Sequence, residues 1–126
     1  MQTPDGVFTV DVESEEVLGL DGGARLALAP APALSLPLLQ AADASGSLVV
    51  AVVGRRPPLV VSNDAGRTWR EAGGGLPPGR GVAIHPDEPD VVLYAARNRL
   101  YLSRDGGRFW QALAPELPEI EAVTWT

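Results

Sequence analysis

Ser62-Asn63-Asp64-Ala65-Gly66-Arg67-Thr68-Trp69 and Ser103-Arg104-Asp105-Gly106-Gly107-Arg108-Phe109-Trp110 decide how this chain is read. The two octapeptides share Ser, Asp, Gly, Arg and Trp at the same places, and their aspartates lie 41 residues apart. A fainter third copy, Gly19-Leu20-Asp21-Gly22-Gly23-Ala24-Arg25-Leu26, keeps the Asp and Gly 43 residues further upstream. The flanks repeat as well: Arg25-Leu26-Ala27-Leu28-Ala29-Pro30 parallels Phe109-Trp110-Gln111-Ala112-Leu113-Ala114-Pro115. Each strong copy follows a β-rich run, Leu59-Val60-Val61 or Leu100-Tyr101-Leu102. Ser and Asp oxygens can accept amides of a tight turn, and Gly66 and Gly107 can supply backbone with φ > 0. Trp69 and Trp110 then fall on the return strand, where a flat ring fills the space between sheets.

A period near 42 residues matches one four-stranded propeller blade, for which ~40–45 residues are usual. The octapeptides resemble the Asp-box, or BNR repeat, Ser/Thr-x-Asp-x-Gly-x-Thr-Trp/Phe, of sialidases, sortilin-type receptors and photosystem II assembly factors. The copy at 62–69 fits every defined position, and that at 103–110 has Phe109 in place of Thr. The resemblance implies an all-β fold of about three four-stranded propeller blades; counting blades makes the chain half of a six-bladed propeller. It also implies structural roles for Asp21, Gly23, Ser62, Asp64, Gly66, Thr68, Trp69, Ser103, Asp105, Gly107 and Trp110. It implies no particular activity.

Strands are expected accordingly. The first blade, about 6–30, takes Gly6–Val12, Glu16–Leu20 and Arg25–Leu28, and nothing before Gly6 serves as its first strand. The second, about 36–72, takes Leu36–Ala42, Leu48–Val53, Pro58–Ser62 and Thr68–Glu71. The third, about 81–113, takes Gly81–His85, Val91–Ala96, Leu100–Ser103 and Phe109–Ala112. A last strand at Ile120–Trp125 matches Gly81–His85 in position, so the repeat is circularly permuted by one strand. Asp43-Ala44-Ser45-Gly46, Arg55-Arg56-Pro57-Pro58, Gly73-Gly74-Gly75 and Pro86-Asp87-Glu88-Pro89 read as breaks between strands. No segment has helical periodicity; Glu13–Leu20 comes nearest and fits strand and turn better.

Composition narrows the function classes. The chain has 126 residues, one small domain, with 14 glycines and 12 prolines. Its ten basic residues are all arginine and its acidic residues number 16, so the net charge of −6 disfavours nucleic acid or anionic membrane as partner. The absence of cysteine removes disulfides and thiolate chemistry. Met1-Gln2-Thr3-Pro4-Asp5-Gly6 has neither the basic nor the apolar part of a signal peptide, which favours the cytoplasm. No apolar run is long enough to span a bilayer as a helix.

Individual residues carry little chemistry on sequence grounds. His85, the only histidine, precedes Pro86 and is expected to brace the turn into the next strand. Asp87, Glu88 and Asp90 lack the spacing of a calcium loop. Sialidases hold a carboxylate with three arginines, and Arg55, Arg56, Arg80, Arg97 and Arg99 fall in loops or at strand ends. Tyr94 and Tyr101, however, sit mid-strand without a glutamate partner, and no phosphate-binding or metalloprotease motif occurs. Catalytic residues, metal ligands and cofactors are therefore not expected. Arg55, Arg56, Arg97 and Arg99 are candidates for a binding rim. The expectation is a non-catalytic scaffold for protein interaction or assembly, the alternative a glycan-binding or sialidase-like module. All seven aromatics fall on strands or box positions, which weakens the glycan reading. Because closed propellers use four to eight blades, the expected partner is a second copy. It would exchange Ile120–Trp125 with the first to make a six-bladed ring. A different ring-completing subunit is the alternative.

Overall fold

The computed structural model describes residues 1–3, 6–22 and 38–125. These form three antiparallel sheets and, among the described residues, no helix. The first sheet orders β1 (Gln2–Thr3), β2 (Gly6–Asp11) and β3 (Glu16–Asp21). The second contains β4 (Leu39–Ser45), β5 (Leu48–Val53), β6 (Leu59–Ser62) and β7 (Arg70–Ala72) in chain order. The third repeats that plan with β8 (Gly81–Ile84), β9 (Val92–Ala96), β10 (Arg99–Ser103) and β11 (Gln111–Ala112).

The third sheet lies between the other two. Val50, Val52, Leu59 and Val61 of the second sheet pack on Val82, Ile84, Val92 and Tyr94 of the third. Another set of residues from the third sheet, Ala83, Leu93, Ala95, Leu100 and Leu102, shares a core with Met1, Leu113, Leu117, Ile120 and Val123. Phe8 and Val10 of the first sheet, with Val12 just after β2, close that second core. Alternate residues of β8 and β9 thus enter different cores, as a strand covered on both faces requires. Every residue of β9 is buried, which accounts for its unbroken apolar sequence.

β4 and β8 are neighbours, and the Asp43 carboxylate reaches across to accept the Ile84 amide at 2.7 Å. Corresponding turns also repeat a bond: Ala65 N donates to Ser47 O and Gly106 N to Asp90 O, both at 2.9 Å.

Three expectations need correction. β4 runs through Ser45, so Asp43 and Ala44 belong to the ladder and the turn is only Gly46-Ser47, with Ser45 opposite Leu48. Their pairing with Val50 and Val49 outweighs the poor strand propensity of Asp and Ala. A strand does precede Gly6: β1 pairs with β2, Gln2 opposite Val7 and Thr3 opposite Gly6. Finally, Asp21 is the last ladder residue of β3, opposite Val7, whereas Asp64 and Asp105 stand two residues beyond their strands. Gly23 and the strand expected at Arg25–Leu28 lie outside the described residues, as do Leu36 and Pro37.

Ile120–Trp125 lies along its own chain. Gln2 N donates to Ala122 O and Glu121 N to Gln2 O, each at 2.7 Å. Ile120 and Val123 are buried, and Trp125 Nε1 donates to Ala83 O at 3.0 Å.

Candidate functional site

The two box turns are built alike. Ser62 Oγ donates to Asp64 Oδ1 at 2.7 Å and accepts Gly66 N at 2.8 Å. Ser103 Oγ donates to Asp105 Oδ1 and accepts Gly107 N, both at 2.8 Å. Asp64 Oδ1 accepts Thr68 N at 2.8 Å, as Asp105 Oδ1 accepts Phe109 N at 3.0 Å. Gly66 and Gly107 share a φ of 91°, where a side chain would be strained. Among their differences, the Thr68 hydroxyl donates to Asp64 Oδ2, and Phe109 offers no counterpart. That hydroxyl, with the Thr68 amide and the Ser62 hydroxyl, holds Asp64 well below the usual carboxylate range. Asp105 is also lowered, chiefly by the Phe109 amide.

The aromatic residues that end the boxes take different positions. Trp110 lies edge-on to Tyr94, ring centroids 6.0 Å apart, with its Nε1 on Gly107 O. Trp69 packs beside Ala51, Val53 and Val60. Phe109 is 79% exposed in its turn, so one aromatic does project from a loop. Tyr94 is fully buried, its hydroxyl donates to Pro77 O at 2.7 Å, and burial pushes its pKa far up.

The arginines expected at a rim occupy equivalent hairpins. Arg55 and Arg56 are exposed after β5, and Arg97 and Arg99 flank the turn between β9 and β10. Arg99 is paired with Glu116 at 2.9 Å, and Arg80 with Glu119 at 3.2 Å.

A cleft of about 390 Å³ opens instead between the first and third sheets. Its apolar lining includes Phe8, Val10, Leu93, Leu100, Val123 and Trp125. Asp11, Glu13, Glu88, His85 and Arg104 contribute the polar lining. Local bonds fix this polar part. Asp11 Oδ1 accepts Glu13 N at 2.9 Å, bracing the turn after β2. Arg104 binds Glu13 across the two sheets at 3.2 Å. His85 Nδ1 accepts the amides of Asp87 and Glu88 at 3.1 and 3.2 Å. The imidazole also packs on Trp125, centroids 4.8 Å apart. The Met1 ammonium, its pKa lowered by burial, donates to Phe8 O at 2.7 Å.

These cleft residues come from segments around 8, 85, 100 and 123, so nothing local in the sequence groups them. The apolar alternation of Phe8, Val10 and Val12 was the available signal, but the facing surface was not. Among the described residues, no three His, Asp or Glu side chains converge as metal ligands would. Compared with models of known protein families, with characterised proteins and with solved structures, the chain matches none.

Proposed function

We propose that the chain is a non-catalytic scaffold of Asp-box propeller blades whose cleft between the first and third sheets receives a protein partner. The blade reading is supported by the shared bond pattern of the two box turns. It is supported also by a groove along β4, β8 and residues 121–124, the segments that would line a propeller's centre. The box carboxylates accept turn amides, which favours a bracing role over a catalytic one.

The observation that carries the binding reading is the cleft itself. Phe8, Val10 and Trp125 remain only partly buried against a core of fully packed residues. Large, half-covered aromatics beside an apolar floor are what a partner's anchor side chain fills. Asp11, Glu13 and Glu88 outnumber Arg104, and Arg104 is already paired with Glu13. The fitting partner is a segment with one apolar anchor beside lysine or arginine.

A display library of random linear peptides tests this on the intact protein. Selected peptides should carry an apolar residue next to a basic one. Trp125→Ala and Glu88→Arg should each weaken them about tenfold or more, while the Arg55→Ala/Arg56→Ala double variant binds as the parent does. Peptides indifferent to Trp125 and Glu88 would contradict the cleft. Glycan-array binding without peptide binding would favour the sugar-binding alternative.

A further inference from the structure

The order of the sheets in space differs from their order along the chain. The second and third sheets, consecutive in sequence, pack face to face and share the Asp43–Ile84 bond. The first and second are also consecutive, yet among the described residues no apolar cluster joins them. The first sheet lies instead on the far side of the third. It is held there by the shared core, by Arg104–Glu13, by Ala114 N on Glu15 Oε1 at 2.7 Å, and by Gln2 against Glu121 and Ala122.

The connections between sheets differ in length. Eight residues separate β7 from β8, and seven separate β11 from Ile120. Seventeen separate β3 from β4. The contact surfaces that hold the first sheet on the third sheet of its own chain would serve equally for the third sheet of a second copy. Exchange of an identical element is a low-cost route to a dimer.

Exposed apolar side chains favour the second arrangement. Leu18 of β3 is 61% exposed and Leu38, next to β4, is 60% exposed. They belong to the two consecutive sheets that are not packed together here. If the first sheet docked on another chain's third sheet, it could pack beside its own second sheet as the second does beside the third.

We propose that two copies of this chain exchange their first sheets. Each first sheet docks on the partner's third sheet and pairs its Gln2 with the partner's C-terminal segment. Six sheets then follow one another around a closed two-fold ring, and no end face is left open. The inference rests on the blade reading above but not on what the cleft binds. The cleft is retained in the ring, formed between the two copies.

The chain has no cysteine, so one engineered disulfide can report the exchange. Gln2 and Ala122 are directly opposite in an antiparallel bridge, where Cα atoms lie ~5.5 Å apart and a disulfide is geometrically allowed. Air oxidation of the Gln2→Cys/Ala122→Cys double variant is followed on a non-reducing gel, alongside light scattering of the unmodified protein. The expected results are a covalent dimer and a solution mass of about 26 kDa, twice the 13.2 kDa chain. An internal disulfide running at the mass of one chain overturns the exchange. So does failure to form the disulfide, or a solution mass of 13 kDa. A monomer that still bound the selected peptides would sink the ring and leave the cleft standing.

Discussion

Asp64 accepts a hydroxyl that Asp105 lacks, and that difference is measurable. Both carboxyls should titrate below the free aspartate value of ~3.9, because turn amides stabilise their charged forms. Thr68→Val removes the donor to Asp64 Oδ2, so the Asp64 titration should move upward while that of Asp105 stays put. Carboxyl-carbon NMR resolves the two. Since both folded values are depressed, the stabilisation is complete above the unfolded value and is lost as pH falls through the folded one. The boxes should therefore loosen only below the free aspartate value, and Asp64, with its additional hydroxyl donor, should keep its charge to lower pH than Asp105.

Backbone conformation gives a second residue-level test. Ala65 has a φ of 62°, and its counterpart in the other box is Gly106, with a φ of 71°. A left-handed conformation costs an L residue roughly 1–2 kcal/mol, part of which glycine's extra unfolded-state freedom offsets. Ala65→Gly should thus raise stability by up to ~1 kcal/mol, read by urea denaturation. At Gly79 the space is the constraint: a Cβ would meet the Ala95 carbonyl and the Tyr94 ring. Gly79→Ala should cost ~1–3 kcal/mol by overpacking.

At the scale of the element, much of the strand pattern was legible in the sequence. Leu48–Val53 and the runs before the boxes are strands because branched apolar side chains fill both cores there. What escaped reading was fixed by distant partners. Asp43 looked like a turn residue, yet it is a strand residue whose carboxylate meets an amide 41 positions away. Gln2 and Thr3 are too short a run to show periodicity; their place in a sheet depends on Gly6, Val7 and Ala122. The alternation in Ile120–Trp125 suggests a strand, but only the Gln2–Ala122 bridge forms a ladder pair there. Its packing nonetheless matters: Ile120 is fully buried among Met1, Leu113 and Leu117. Ile120→Ala should cost ~2–5 kcal/mol, and a loss near zero would show that the segment is not part of the core. Ser103→Ala, which strips Gly107 N of its acceptor, should cost ~1–3 kcal/mol.

For the whole molecule, the repeat foretold three all-β units but not which of them touch. The rim arginines were visible as exposed charge, whereas the cleft required two sheets brought together from opposite ends of the chain. Its lining comes from Met1, residues 8–13, positions between 85 and 104, and residues 123–125, and no local pattern connects them. The central claim, that this cleft is the binding surface and the boxes are braces, is tested most directly by hydrogen–deuterium exchange with a library-selected peptide. Protection is predicted at residues 8–13, 85–88 and 123–125, with the Arg55–Arg56 hairpin and the 63–68 turn unchanged. Protection centred on that hairpin or on the box turns would contradict it.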